Sequence, residues 1–144
     1  MLERSPMADR LQVAREDIEA FNAADWDHYK ELYSDDAVYE EFATGRVLRG
    51  PEDITEANVG WKQAFPDAKG TVTSEAVADD TVTLEVTWEG TQDGPLAANG
   101  QEIPPSHNHV VIKAAEVFKF EGDRIKEEHH YFDMMGMMEQ IQAK

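Results

Sequence analysis

From Ala8 to Ala23 the apolar residues Leu11, Ala14, Ile18 and Phe21 recur at helical spacing with charges between them, which predicts an amphipathic helix. Asn22-Ala23-Ala24-Asp25 breaks the pattern. Asp25 or Asp27 is placed to cap a short second helix through Trp26, Tyr29 and Leu32, ending before Ser34-Asp35-Asp36. Ala37 to Phe42 alternates as a strand, with Val38, Glu40 and Phe42 sharing a face. Gly50-Pro51 is a stop followed by a start, because proline is tolerated in the first turn of a helix. That third helix runs from Glu52 to Ala64 and closes at Phe65-Pro66-Asp67.

Beyond Pro66 the hydrophobic period falls from near 3.6 to 2. Thr71 to Ala78 and Thr81 to Thr91 are rich in β-branched residues and flank Asp79-Asp80, a hairpin turn. In the second run Val82, Leu84, Val86 and Trp88 face one way, and Thr83, Glu85, Thr87 and Glu89 the other. A loop from Asp93 to Pro105 leads into a long strand, His107 to Phe120, and a turn at Glu121-Gly122-Asp123-Arg124 leads into a last strand ending near Asp133. Met134 to Gln140 reads as a short helix or an irregular closing segment. Three helices followed by a mostly antiparallel sheet make an α+β domain, and a strongly curved sheet wrapped on those helices encloses a cone with one pocket. One unit is expected over residues 8–142, after a flexible N-terminus at residues 1–7.

Composition narrows the partners. The 144 residues carry 13 Lys and Arg against 30 Asp and Glu, a formal charge of −17, which disfavours nucleic acid and anionic membrane as partners. Hydrophobic residues at 41% and aromatics at 9% are too many for a disordered acidic tail. No apolar run reaches the roughly 20 residues of a membrane span, and MLERSPMADR lacks the apolar stretch of a signal peptide, so a cytoplasmic location is expected. Cysteine is absent, which removes disulfides, thiolate nucleophiles and Cys-ligated metals together.

The last hairpin holds most of the candidate chemistry. A two-residue loop at Gly122-Asp123 pairs Glu121 with Arg124, and continuing that register sets Glu116 opposite His129, Ala114 opposite Tyr131 and Ile112 opposite Asp133. One face then carries Glu116, His129, Tyr131 and Asp133 among apolar residues, a setting that tunes carboxylates and imidazoles toward acid–base work. A bulge or a one-residue shift would reverse the faces. Trp88 is wall or core in either case. His107, His109 and the pair His129-His130 have a spacing that zinc could use, but this register splits them between faces, and no metal is expected.

Several segments together resemble the SnoaL-like polyketide cyclases of the nuclear transport factor 2-like superfamily. They are Tyr33-Ser34-Asp35-Asp36-Ala37-Val38-Tyr39, Gly50-Pro51-Glu52, Ala64-Phe65-Pro66-Asp67, Gly90 through Leu96, Ile103-Pro104-Pro105, and Phe120 through Ile125 running on to Phe132-Asp133. The resemblance implies the α+β cone, often dimeric through the outer sheet face, and a buried Asp at the end of the last strand as acid–base in an intramolecular aldol ring closure. Asp133 occupies that place. The expected site is therefore Asp133 and His129 as catalytic groups, with Tyr131, Gln92, Trp88, Glu116 and Glu40 binding the substrate. Gln92 stands where relatives often carry histidine.

The expected function is a cofactor-independent cyclase or isomerase acting on an apolar, polyketide-like carbonyl compound. The alternative is a non-catalytic module of the same fold that binds a small ligand or dimerises. A homodimer is expected because Val111, Ala115 and Val117 make the second face of the long strand apolar.

Overall fold

The turn chemistry read from the sequence sets most element boundaries in the computed structural model, which describes residues 6–98 and 100–144. In chain order the elements are α1 (Pro6–Ala23), α2 (Trp26–Glu31), β1 (Tyr33–Glu41), β2 (Arg46–Arg49), α3 (Gly50–Ala64), β3 (Lys69–Ala78), β4 (Thr81–Thr91), β5 (Leu96–Ala98), β6 (Gln101–Ile103), β7 (His109–Glu121), β8 (Arg124–Phe132) and α4 (Met134–Gln142). The N-terminus expected to be flexible falls partly on residues 1–5, outside the described residues, and partly on the start of α1. Asp25 is the α2 cap, its carboxylate accepting from the His28 N–H at 3.3 Å, and Pro51 stands in the first turn of α3. The closing segment is a true helix, α4, and the loop after β4 folds into the small β5–β6 hairpin.

Six strands form one curved mixed sheet in the order β2-β1-β8-β7-β4-β3, with helices packed on it and no closure into a barrel. Every adjacent pair is antiparallel except β1 and β8, which run parallel. The alternation in β4 holds: Val82, Leu84 and Val86 are buried with Phe118, Phe120 and Ile125 against Ala14, Ile18 and Phe21 of α1. A smaller cluster of Phe65, Leu96, Val110, Met137 and Ile141 packs beneath α4. Asn108 fixes that helix by donating to the carbonyls of Gln140, Ile141 and Ala143, and Gln140 bonds both backbone groups of Val111. Among the described residues no helix is long and apolar enough to cross a membrane.

Two strands depart from the expected faces. β7 and β8 begin in the predicted register, with Glu121 opposite Arg124 and Phe120 opposite Ile125. Lys119 then pairs with Glu127, so Lys126 is an extra residue, a β-bulge, and every later pairing moves by one. Glu116 faces His130 instead of His129, and Ala114 faces Phe132 instead of Tyr131. In β1 the buried positions are Ala37, Tyr39 and Glu41, which sends Val38, Glu40 and Phe42 to the other face.

Candidate functional site

The curvature of the sheet leaves a cavity of about 80 Å³ between it and the helices. Phe21 of α1, Tyr29 of α2, Trp61 of α3, Trp88 of β4, Phe132 of β8 and Met137 of α4 give it a largely apolar wall. Asp17, Asn58, Glu89, Glu116 and His130 are its polar members, and no lysine or arginine lines it among the described residues. Trp88 lies against Gly70, where a Cβ would meet the indole ring at 2.6 Å, so the glycine makes room for the ring. The indole Nε1 donates to Glu116 Oε2 at 3.1 Å. Trp61 is oriented by a bond from its own Nε1 to Glu41 Oε2 at 2.8 Å, and Glu41 is held in turn by Arg46 and Thr44.

A cluster of buried acids and phenols runs from this wall into the interior. Tyr33 Oη lies 2.5 Å from Asp17 Oδ2, 2.6 Å from Glu128 Oε1 and 3.2 Å from Tyr29 Oη. A phenol has one proton to give. It donates to one carboxyl, and the second short contact then needs a proton carried by a carboxyl group. At least one of Asp17 and Glu128 is therefore a neutral acid. Electrostatics agrees: burial, then the charge of neighbouring carboxylates, pushes both well above the usual carboxylate range. Burial likewise pushes Tyr29, Tyr33 and Tyr39 up, so all three remain phenols. His130 Nδ1 is 2.7 Å from Tyr39 Oη, while its Nε2 is 3.8 Å from Glu116 Oε2. Glu128 Oε2 and His130 Nε2 are buried without a hydrogen-bond partner among the described residues.

Of the residues expected from sequence, Trp88 and Glu116 line the cavity. The bulge turns His129 and Tyr131 to the outer face, where Phe42 meets the His129 ring edge-on and stacks on Tyr131 at 4.6 Å. Glu40 pairs beside His129, away from the cavity. Asp133 is exposed and caps α4, accepting from the Gly136 N–H at 2.9 Å, so it is a helix cap and not a cavity residue. Gln92 is fully buried but outside the cavity wall, stapling its loop through the Gly94, Ile103 and Pro104 carbonyls and the Ser106 N–H. Asp17, Glu128, His130 and the tyrosines take their places. Asp17 was legible: it falls between Ala14 and Phe21 on the apolar stripe of α1, where a charge has no solvent to meet.

Glu116, Glu128 and His130 offer donor atoms within 4.8 Å of one another, the one metal-compatible group among the described residues. Three protein donors are one short of a structural zinc site and match the number at an open catalytic one. His107 and His109, the other candidates, are exposed and paired with Asp93 and Glu89.

The sequence matches the model of the SnoaL-like polyketide cyclases over residues 11–141. The chain belongs to that family. Among the solved structures that resemble this family member is a candidate SnoaL-like polyketide cyclase from Jannaschia sp. CCS1, with a TM-score of 0.87 at 21% identity, covering 100% of this chain and 99% of that one. TsrD from Streptomyces laurentii matches with a TM-score of 0.81 at 23% identity, covering 100% of both chains. IdmH from Streptomyces antibioticus, a candidate polyketide cyclase, matches with a TM-score of 0.78 at 22% identity over 93% of this chain and 99% of that one. No curated protein matches the sequence. At these identities the likeness establishes the fold, and the chemistry rests on the residues of this chain.

The raised values of Asp17 and Glu128 make a prediction about stability. A carboxyl whose folded pKa lies above its unfolded one stabilises the fold fully below the ordinary carboxylate range. That contribution is lost as pH rises through the raised value. Glu128→Gln, which keeps the shape and removes the ionisation, should therefore gain on the wild type as pH rises. The gain should grow steadily between about pH 5 and 8. Urea unfolding of both proteins across that range measures it, and a difference that stays constant with pH contradicts the neutral-acid assignment.

Proposed function

We propose that the protein is a cyclase or isomerase that works without a cofactor, by acid–base chemistry on an apolar, polyketide-like carbonyl compound. Glu116 and His130 are the groups that meet the substrate, in place of Asp133 and His129. The observation that carries this is a carboxyl and an imidazole, 3.8 Å apart, at the wall of an otherwise mostly apolar cavity. A base there removes the proton alpha to a carbonyl. The enolate oxygen needs hydrogen-bond donors, and the second N–H of Asn58 is free to serve, its first being given to the Ile54 carbonyl. Asp17, Tyr33 and Glu128 form a positioning and proton-holding layer behind Glu116. A cavity of about 80 Å³ takes the reacting end of a substrate, and the rest extends toward the mouth.

The reading keeps the homodimer, packed through the outer sheet face. Phe42, Tyr131 and Val111 are 47%, 44% and 43% exposed there, more than apolar side chains gain from in water. Light scattering at micromolar concentration should give twice the mass of one chain, and the mass of a single chain contradicts it.

The site assignment is tested by two variants assayed for turnover of small cyclisable or isomerisable carbonyl compounds. Glu116→Gln should lose at least about 100-fold in turnover while melting near the wild type, the scale of general acid–base loss. Asp133→Asn should keep both activity and stability, because asparagine caps a helix as well as aspartate. The reverse outcome, loss at Asp133 and retention at Glu116, overturns the assignment and returns the chemistry to the helix cap.

A further inference from the structure

The cavity carries an imbalance that a neutral carbonyl compound does not relieve. Two of its three carboxyl groups, Asp17 and Glu116, are 3% and 2% exposed, the third, Glu89, is exposed and paired with His109, and no lysine or arginine stands among the lining residues to balance the buried two. His130 is 8% exposed and lines the same space, yet its Nε2 has no partner. The other ring nitrogen is held by Tyr39 at 2.7 Å. In the tautomer that gives Nδ1–H to Tyr39, Nε2 presents a lone pair to the cavity 3.8 Å from Glu116 Oε2. Leaving a buried acceptor unmade is costly, so a fitting ligand brings an N–H or O–H to that point.

The rest of the wall selects among such ligands. Aromatic rings attract cations through their faces, and Tyr29, Trp61 and Trp88 surround the acidic groups. An anion meets carboxyl groups and no cationic partner. A neutral alcohol satisfies His130 and gains nothing from the acids or the rings.

We infer that the cavity binds a small protonated amine, an alkylammonium group carried by the substrate, whose N–H donates to His130 Nε2 while its charge rests against Glu116 and the aromatic wall. This names the substrate class of the site proposed above and rests on the cavity being that substrate's site. Binding and turnover fail separately, because binding of the amine needs no reaction.

Three compounds of nearly one shape, all with the same terminal hydroxyl, separate the contributions: N,N-dimethylethanolamine has both charge and N–H, choline has charge without the N–H, and 3,3-dimethylbutan-1-ol has neither charge nor N–H. Calorimetry or ligand-observed NMR on the full chain should rank them in that order, the amine binding at least about tenfold tighter than the neutral alcohol. The preference should survive high salt, which screens the surface charge but not a buried pair. It should fall in Glu116→Gln, and His130→Phe should erase the margin of the amine over choline. Equal or tighter binding of the neutral alcohol overturns the inference, even with the carbonyl chemistry intact. So does a preference that salt abolishes or that Glu116→Gln leaves whole. Failure of all three probes at millimolar concentration also overturns it, and saturable zinc binding lost in His130→Phe would then give the cavity to a metal ion.

Discussion

One phenol proton constrains the whole interior. Tyr33 begins β1, Asp17 lies on α1 and Glu128 on β8, and the Tyr33 hydroxyl touches both carboxyls at hydrogen-bond distance. Three separate elements are tied at a single oxygen. Removing a carboxylate from water costs several kcal/mol unless it is paired, and among the described residues no cationic side chain does the pairing here. The cluster persists because its members share protons. Glu116 and His130 stand on the cavity side of the same cluster, so the structural constraint and the proposed chemistry are one arrangement seen from two sides.

Where the sequence was readable, turns and periodicity were the reason. Asp79-Asp80, Gly50-Pro51 and Gly122-Asp123 fall where the chain reverses or starts a helix, and the alternation of β4 gave its buried face directly. The candidate site was less legible. The bulge at Lys126 has no local signature, being a packing solution that lets Ile125 stay in the core while Glu128 and His130 also turn inward. With strict alternation from Ile125, the inward set is Glu127, His129 and Tyr131. One extra residue exchanges that set for Glu128, His130 and Phe132. Glu41 went unread for another reason: a buried acid looks like a surface acid until its partners, here Trp61 and Arg46, are placed beside it.

Membership of the SnoaL-like family and the position of Asp133 point in different directions. The family pattern is carried by the elements that build the cone, and these are in place. The acid at the end of the last strand is also in place, but the helix that follows uses it as a cap. Function on a shared fold resides in the particular side chains that reach the cavity. In this chain the polar groups that line it are Asp17, Asn58, Glu89, Glu116 and His130, and the proposed chemistry rests on Glu116 and His130. The charge of −17 adds a field that draws cations toward the molecule.

The central claim is that a buried carboxyl group is protonated at neutral pH. Infrared spectroscopy observes this directly, since the C=O stretch of a neutral acid is resolved from the carboxylate bands. The account predicts a neutral-acid band at neutral pH, shifted on exchange into deuterium oxide and reduced in Asp17→Asn or Glu128→Gln. A spectrum with carboxylate bands alone at neutral pH would contradict it, because Tyr33 could then satisfy only one of the two acids it touches.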